Sequence, residues 1–155
     1  MKILVTVGTT TFDSLVEYLD QEEIFFRLDI EFQIANGKYM PVNHGFFRFV
    51  DPDEIIRKYE SADIVITHAG FGTVVQLLEM GKRLIVVPNL ERVDKHQLDL
   101  GAFLARNKYA LVVYDFSQLG MFIEICENIR FRQFSKTPFF KTDEIRSFLF
   151  DETGK

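Results

Sequence analysis

The chain has 155 residues, of which 47% are hydrophobic and 26% charged, so we expect one globular domain with a substantial core. Its net charge of −5 argues against nucleic acid as the main ligand, because phosphate backbones require a basic surface. The single cysteine, Cys126, cannot form an internal disulfide, and we expect it to be a small buried side chain.

No apolar run approaches the ~20 residues of a membrane-spanning helix, and the amino terminus leads directly into a strand-like segment instead of a signal peptide. We therefore expect a cytoplasmic protein that reaches a membrane only peripherally, through a partner. Phenylalanine is unusually common, at 17 copies, and forms adjacent pairs at 25–26, 46–47 and 139–140. Neighbours on a strand face opposite ways, so some of these rings are expected to cover a partner surface.

Short β-branched runs alternate with segments of helical spacing along most of the chain. The predicted strands are 3–7, 31–35, 45–50, 63–67, 83–87 and 110–114. The predicted helices are 12–19, 51–62, 73–80, 96–107 and 116–128, with one more around 143–150. Asp13 or a preceding threonine is expected to cap the first helix, Pro52 to open the second and Gly81 to end the third.

This alternation predicts an α/β fold, a Rossmann-like parallel sheet with helices on both faces and right-handed crossovers. Ligands of such sheets bind in the crevice beyond the carboxyl ends of the strands. Three loops fall at those ends, at 8–11, 67–72 and 88–97. We expect them to share one rim.

The second of these loops joins a strand to a helix through Gly70 and Gly72, with Thr73 at the start of the helix. Glycines let backbone amides approach a ligand closely, and a helix amino terminus favours an anion. The loop is neither a P-loop nor a dinucleotide fingerprint, since it lacks both Gly-Lys-Ser/Thr and the third glycine. Taken alone, it fits a tight turn as well as a diphosphate site.

Several other polar residues are predicted near this rim. Glu79, two turns into the helix, suits ribose hydroxyls if it faces the rim, and is otherwise an ordinary solvated glutamate. Asp94 is placed to cap the next helix, at whose edge His96 and Gln97 suit sugar hydroxyls. Alternatively, Asp94 caps the helix and His96 and Gln97 have no role in binding.

The first loop, with Gly8 and Thr9, is a second hydroxyl-rich turn that suits either phosphate contact or helix capping. The three histidines, at 44, 68 and 96, are too scattered to indicate a metal site, and no nucleophile elbow is present. His68 has the chemistry of a general base, although a histidine in so tight a loop more often holds neighbouring loops in position.

Together, in this order and spacing, these segments resemble the C-terminal, donor-binding domain of glycosyltransferase family 28. The resemblance rests on the stretches 67–73, 79, 81–82, 85–88 and 94–97, and covers residues 1 to about 115. The stretches 5–9, 12–15 and 62–66 are similar to the stand-alone members of the family. These are the eukaryotic subunit that adds the second GlcNAc to dolichol-linked GlcNAc, and bacterial subunits of capsule and exopolysaccharide synthesis.

The resemblance implies the C-terminal half of a GT-B fold, as one UDP-sugar-binding domain over 1–155 with a tail from about 130 that contacts a partner. It implies an inverting transferase that uses UDP-GlcNAc or another UDP-hexose and needs no metal or other cofactor. The lipid-linked saccharide acceptor and the general base would belong to a membrane-anchored partner subunit. Positive helix ends would replace the cation at the diphosphate.

The resemblance also implies roles for individual residues. Gly70, Gly72 and Thr73 would bind the diphosphate, and Glu79 would bind the ribose. His96 and Gln97 would contact the transferred sugar or its phosphate. Gly8 and Thr9 match the opening loop, which would face the partner and the sugar. His68 matches a family histidine of unassigned role. A shorter stretch before the Asn36–Gly37 turn is expected to trim the sheet, and the basic, Phe-rich stretch 131–141 is expected to contact a partner or membrane surface.

Two other functions remain open from the sequence. One is a sugar-nucleotide epimerase of related architecture, against which the short length counts. The other is a nucleotide-sugar-binding module without catalysis. The sugar itself stays open among GlcNAc, galactose, glucose and glucuronic acid, because a few hydroxyl contacts distinguish them.

Overall fold

The computed structural model describes residues 1–91 and 96–135. Its centre is a six-stranded sheet in the order β3-β2-β1-β4-β5-β6, and every neighbouring pair is parallel. The strands are β1 (Lys2–Thr6), β2 (Asp29–Gln33), β3 (Gly45–Phe47), β4 (Ile64–Thr67), β5 (Arg83–Val86) and β6 (Leu111–Val112). The predicted Rossmann-like α/β fold is therefore confirmed.

Five helices cover the two faces of this sheet. They are α1 (Asp13–Gln21), α2 (Pro52–Ser61), α3 (Phe71–Glu79), α4 (His96–Arg106) and α5 (Leu119–Asn128), with 3₁₀ turns at Glu23–Phe25 and Phe116–Gln118. One hydrophobic cluster joins α1 and α5 to one face, and a second joins α2, α3 and α4 to the other. Because both faces are covered, Ile3, Leu4 and Val5 are all 0% exposed, which explains the unbroken apolar runs.

The strand order reverses direction between β1 and β4. The chain adds β2 and β3 on one side of β1, then returns through α2 to place β4 on the other side. The loops that leave β1 and β4 therefore diverge and open a crevice at the carboxyl ends of these strands, where open α/β sheets bind ligands.

The connection from β2 to β3, residues 34–44, contains no helix and is held by Asp20 of α1. The Asp20 carboxylate, 0% exposed, accepts hydrogen bonds from the N–H of Val42 at 2.9 Å, the N–H of Asn43 at 3.0 Å and the Tyr39 hydroxyl at 2.7 Å. His44 Nδ1 lies 3.2 Å from Asp20. Burial raises the pKa of Asp20, but these hydrogen bonds together bring the pKa below its ordinary value.

Two helix ends follow the sequence prediction. The Asp51 carboxylate accepts the N–H of Glu54 at 2.8 Å and Pro52 opens α2. Gly81 adopts φ +68° after α3, and the N–H of Lys82 donates to the carbonyl of Leu77 at 3.0 Å. This is the pattern of a glycine-terminated helix.

The predicted cap of α1 is wrong. Phe12 occupies the N-cap position and no side chain caps the helix. The Asp13 carboxylate instead accepts the N–H of Lys38 at 3.0 Å, because the turn at Gly37 lies against it. The Thr10 hydroxyl donates to the carbonyl of Val7 at 3.0 Å. The first 3₁₀ turn bridges the short stretch between α1 and β2, and both β2 and β3 are present in the sheet.

The segment after α5 packs onto the protein's own core. Phe131 lies against the first cluster, and the Phe134 ring meets Tyr109 edge to face at 5.5 Å between centroids. The predicted helix around 143–150 lies outside the described residues. None of the helices in residues 1–91 and 96–135 is long and apolar enough to cross a lipid bilayer.

Candidate functional site

The loops after β1 and β4 meet at the crevice. Gly8 has φ +61°, and a Cβ added there would lie 3.2 Å from Cε1 of His68 and 3.5 Å from Oγ1 of Thr73. The third loop joins them, since the Asn89 amide donates to the carbonyl of Thr11 at 3.4 Å. The three loops share one rim, as the sequence predicted.

A cleft of about 410 Å³ opens between these loops. It is lined by Thr10, His68, Ala69, Gly70, Phe71, His96, Gln97 and Leu100. None of these lining residues is acidic. The cleft therefore suits an anionic ligand, because no carboxylate among them repels one.

His68 is fixed in place by two glycines. Its side chain is 6% exposed, with Gly8 against one part of the ring. A Cβ on Gly70 would overlap Nε2 of His68 and lie 2.7 Å from its Cε1. Gly70 has an extended backbone with φ −82°, so space for the ring, and not backbone conformation, requires glycine there. This packing supports the positional interpretation of His68.

The helix α3 begins at Phe71, two residues earlier than predicted, with Gly70 as its N-cap. Gly72 and Thr73 therefore lie in the first turn, and the N–H of Val74 is the first to bond back along the helix, to Gly70 at 3.0 Å. The amides of a first turn lack acceptors within the helix. No acidic residue occupies this turn, and a Cβ on Gly72 would meet nothing within 4 Å.

Thr73 is half-buried, and its hydroxyl is hydrogen-bonded to Tyr59 of α2. Burial raises the pKa of Tyr59, and hydrogen bonds to the hydroxyls of Thr6 and Thr73 partly offset that rise. Thr6 and Tyr59 were not predicted from the sequence, because nothing in their spacing links them to the loop at 67–72.

Gln97 and His96 open α4 beside the cleft. Gln97 is 7% exposed, and its Oε1 accepts the N–H of Asn89 at 2.8 Å. Asn89 in turn accepts the N–H of Glu91 at 3.0 Å. Gln97 thus fixes the rim as well as lining it, whereas His96 is exposed. Asp94 lies outside the described residues.

Glu79 and Thr9 lie away from the cleft lining. Glu79 is exposed at the last position of α3, roughly 12 Å along the helix axis from Phe71. Thr9 is exposed next to Gly8 on the rim. Within residues 1–91 and 96–135, no three or more His, Cys, Asp or Glu side chains come together in a way that would hold a metal ion.

Comparisons with known proteins agree with this architecture. Residues 2–119 match the model of the glycosyltransferase family 28 C-terminal domain. The UDP-N-acetylglucosamine transferase subunit ALG13 of Yarrowia lipolytica is 30% identical over 134 residues, covering 77% of this chain and 68% of that protein. The ALG13 subunit of Homo sapiens is 32% identical over 109 residues, which are 63% of this chain but 10% of the human protein.

Solved structures share the fold at low sequence identity. The NMR structure of ALG13 superposes with a TM-score of 0.61 at 19% identity, over 96% of this chain and 94% of that one. MurG of Acinetobacter baumannii gives 0.58 at 20% identity, over 82% of this chain and 41% of MurG. The architecture is thus that of the C-terminal half of a GT-B glycosyltransferase. With the family match over most of its length, this chain belongs to the glycosyltransferase family 28 C-terminal domain family.

Proposed function

We propose that this chain is the donor-binding subunit of an inverting glycosyltransferase that transfers GlcNAc, or another hexose, from UDP to a lipid-linked saccharide. The observation that carries the proposal is the cleft at the start of α3, where neither the described lining residues nor the first turn of the helix includes an acidic residue. Its relatives from Yarrowia lipolytica and Homo sapiens are named as UDP-N-acetylglucosamine transferase subunits, which favours GlcNAc among the possible sugars.

In this proposal the diphosphate lies against the first turn of α3. The N–H groups of Gly72 and Thr73 are the donors, and the positive end of the helix stabilises the anion. Gly72 carries no side chain to hold the phosphate away. The same dipole stabilises the UDP leaving group as negative charge develops on it, and no metal is required for this step.

The rest of the donor extends in two directions from the diphosphate. The nucleoside follows α3 towards Glu79, whose carboxylate accepts hydrogen bonds from the ribose hydroxyls. The sugar lies towards His96 and the free part of the Gln97 amide, at the start of α4. Gly8 and Thr9 lie at the rim that faces the acceptor.

A second chain completes the reaction in this proposal. An inverting transfer needs a base for the acceptor hydroxyl. No carboxylate is among the lining residues that the structure describes, and His68 is packed between two glycines. A membrane-anchored partner would supply the base and the acceptor site, and would bring this cytoplasmic chain to the membrane surface. The same observation favours a second candidate, a UDP-sugar-binding module without catalysis.

The donor site is tested by calorimetry with UDP-GlcNAc. We expect the chain alone to bind weakly, and Glu79→Ala to weaken binding by at least about tenfold, since two hydrogen bonds to a charged group are removed. Glu17→Ala, on the exposed surface of α1, is the matched control. Equal affinities for all three proteins would contradict the assignment of Glu79.

Transfer itself distinguishes the two candidates. We expect the purified chain to transfer little GlcNAc to a lipid-linked acceptor alone, and to do so readily once mixed with a membrane-anchored partner chain. Full activity from this chain alone would contradict the two-chain mechanism. Donor binding with no transfer under either condition would favour the binding module.

A further inference from the structure

A second cavity lies at the opposite end of the sheet, where β5 begins. It encloses about 460 Å³ between the end of α3, the first residues of β5 and the segment 129–134 after α5. The charged residues of its described lining are Lys82, Arg83, Arg130 and Arg132, and none of the lining residues within 1–91 and 96–135 is acidic. For a chain of net charge −5, the composition gives no reason to expect four cations around one cavity.

The contacts that hold these cations do not neutralise them. Lys82 Nζ donates to the backbone carbonyl of Glu60 at 3.0 Å. The Arg132 guanidinium lies 5.7 Å from the centroid of the Tyr109 ring. Among residues 1–91 and 96–135, none of the four cations forms an ion pair with a carboxylate. Four like charges around one concavity repel each other, and a bound anion would relieve that repulsion.

The walls of the cavity are firmly packed. Tyr109 is 6% exposed and meets Phe134 edge to face, and the N–H of Arg132 donates to the carbonyl of Lys108 at 2.9 Å. The segment that carries Arg130 and Arg132 is thereby fixed against the sheet.

We propose that this cavity is a second ligand site, distinct from the donor cleft, and that it binds a phosphate group. Guanidinium groups match phosphate oxygens with paired hydrogen bonds, and the cavity presents three of them beside one ammonium. A free phosphorylated molecule and a phospholipid headgroup carry the same group, so either source fits the chemistry. The site does not depend on the function of the donor cleft.

Backbone amide NMR of the full chain, titrated with pyrophosphate at low ionic strength, tests the site. Pyrophosphate is also expected to bind at the donor cleft, so the amide shifts at the two ends of the sheet are followed separately. We expect saturable amide shifts at positions 83 and 130. The affinity for pyrophosphate that they report should fall about tenfold in the double variant Arg83→Gln/Arg130→Gln, because two charge-assisted contacts are lost. Shifts at Gly72 should stay unchanged in that variant. Arg57→Gln, exposed on α2, is the matched control and should bind as the unmodified chain does.

Sedimentation with vesicles identifies the source of the phosphate. Vesicles of phosphatidylcholine are compared with vesicles of phosphatidylcholine and phosphatidylserine. Binding of pyrophosphate without sedimentation supports a free phosphorylated ligand. Sedimentation with the anionic vesicles, lost in the double variant, supports a lipid headgroup. If neither probe acts at this cavity, or if the double variant and Arg57→Gln respond alike, the proposal is overturned.

Discussion

Two of the connections that leave the carboxyl ends of strands in this protein contain a histidine. In the connection after β2, His44 lies 3.2 Å from both Asp20 and the carbonyl of Phe25. In the loop after β4, the His68 ring fills the space that Gly8 and Gly70 leave. The first connection satisfies its polar groups from within the protein. The second uses glycines to leave room beside the first turn of α3.

The difference separates a loop that serves stability from a loop that serves binding. A buried carboxylate that accepts several hydrogen bonds fixes a helix-free connection, because breaking them leaves charge without partners. A glycine-rich loop gains little from such bonds, but it lets a ligand approach backbone amides. Changes in the first loop should therefore affect stability alone, whereas changes in the second should also affect ligand binding.

The largest effect on stability is expected in the connection after β2. We expect Asp20→Asn to lower the free energy of unfolding by about 3 kcal/mol, because an amide cannot accept all the hydrogen bonds of the carboxylate. The affinity for UDP-GlcNAc should not change. Urea unfolding and calorimetry measure the two quantities, with Asp29→Asn, exposed at the start of β2, as the control. A loss below about 1 kcal/mol would remove the contrast between the loops.

A smaller loss of stability is expected in the loop after β4. Gly70→Ala should cost about 2 kcal/mol, because the new methyl overlaps the His68 ring, and should also weaken UDP-GlcNAc binding. Gly45→Ala, where a Cβ meets nothing within 4 Å, is the control. Adding His68→Ala to Gly70→Ala should restore part of the stability by removing the overlap. Simple addition of the two single effects in urea unfolding would contradict the packing argument.

The pH dependence of the unfolding free energy is a further test of the role of Asp20 in the connection after β2. The pKa of Asp20 is lowered in the folded protein, so its contribution to stability is complete above its unfolded pKa of about 3.9. That contribution is lost as the pH falls through the lower, folded-state value. We expect the difference in unfolding free energy between the unmodified chain and Asp20→Asn to be constant from about pH 5 to 7 and to shrink below about pH 4. A difference that already shrinks near pH 6 would be inconsistent with this sign.

The smallest effect is expected at Cys126, a buried residue of α5 that lies in neither of the two loops. Burial raises the pKa of Cys126 to about 12, so its thiol stays protonated, and its 0% exposure makes it inaccessible to reagents. We expect no labelling by iodoacetamide at pH 8 in the folded state, and rapid labelling in urea, followed by mass spectrometry. Equally fast labelling in both states would show that α5 opens readily from the sheet.

The sequence predicted the sheet, the shared rim and most helix boundaries, because continuous apolar runs and glycine positions are local signals. It placed the start of α3 two residues late, since Phe71 and Gly72 are poor helix formers. It wrongly predicted a side-chain cap for α1, because the Asp13 carboxylate binds a turn that is distant in sequence. The supporting contacts of Tyr59 and Asn89 were also invisible, because they depend on how separate elements pack. The predicted ligand roles of the site residues remain predictions.

The most direct test of the account is the binding of UDP-GlcNAc to Gly72→Ala. Gly72 lies in the first turn of α3 with open space around its Cβ position, so alanine should leave the unfolding free energy unchanged or raise it by up to about 1 kcal/mol. If the diphosphate lies against this turn, the added methyl should weaken UDP-GlcNAc binding by at least about tenfold, or about 1.4 kcal/mol, while Gly45→Ala binds normally. A stable Gly72→Ala protein with unchanged affinity would contradict the placement of the donor.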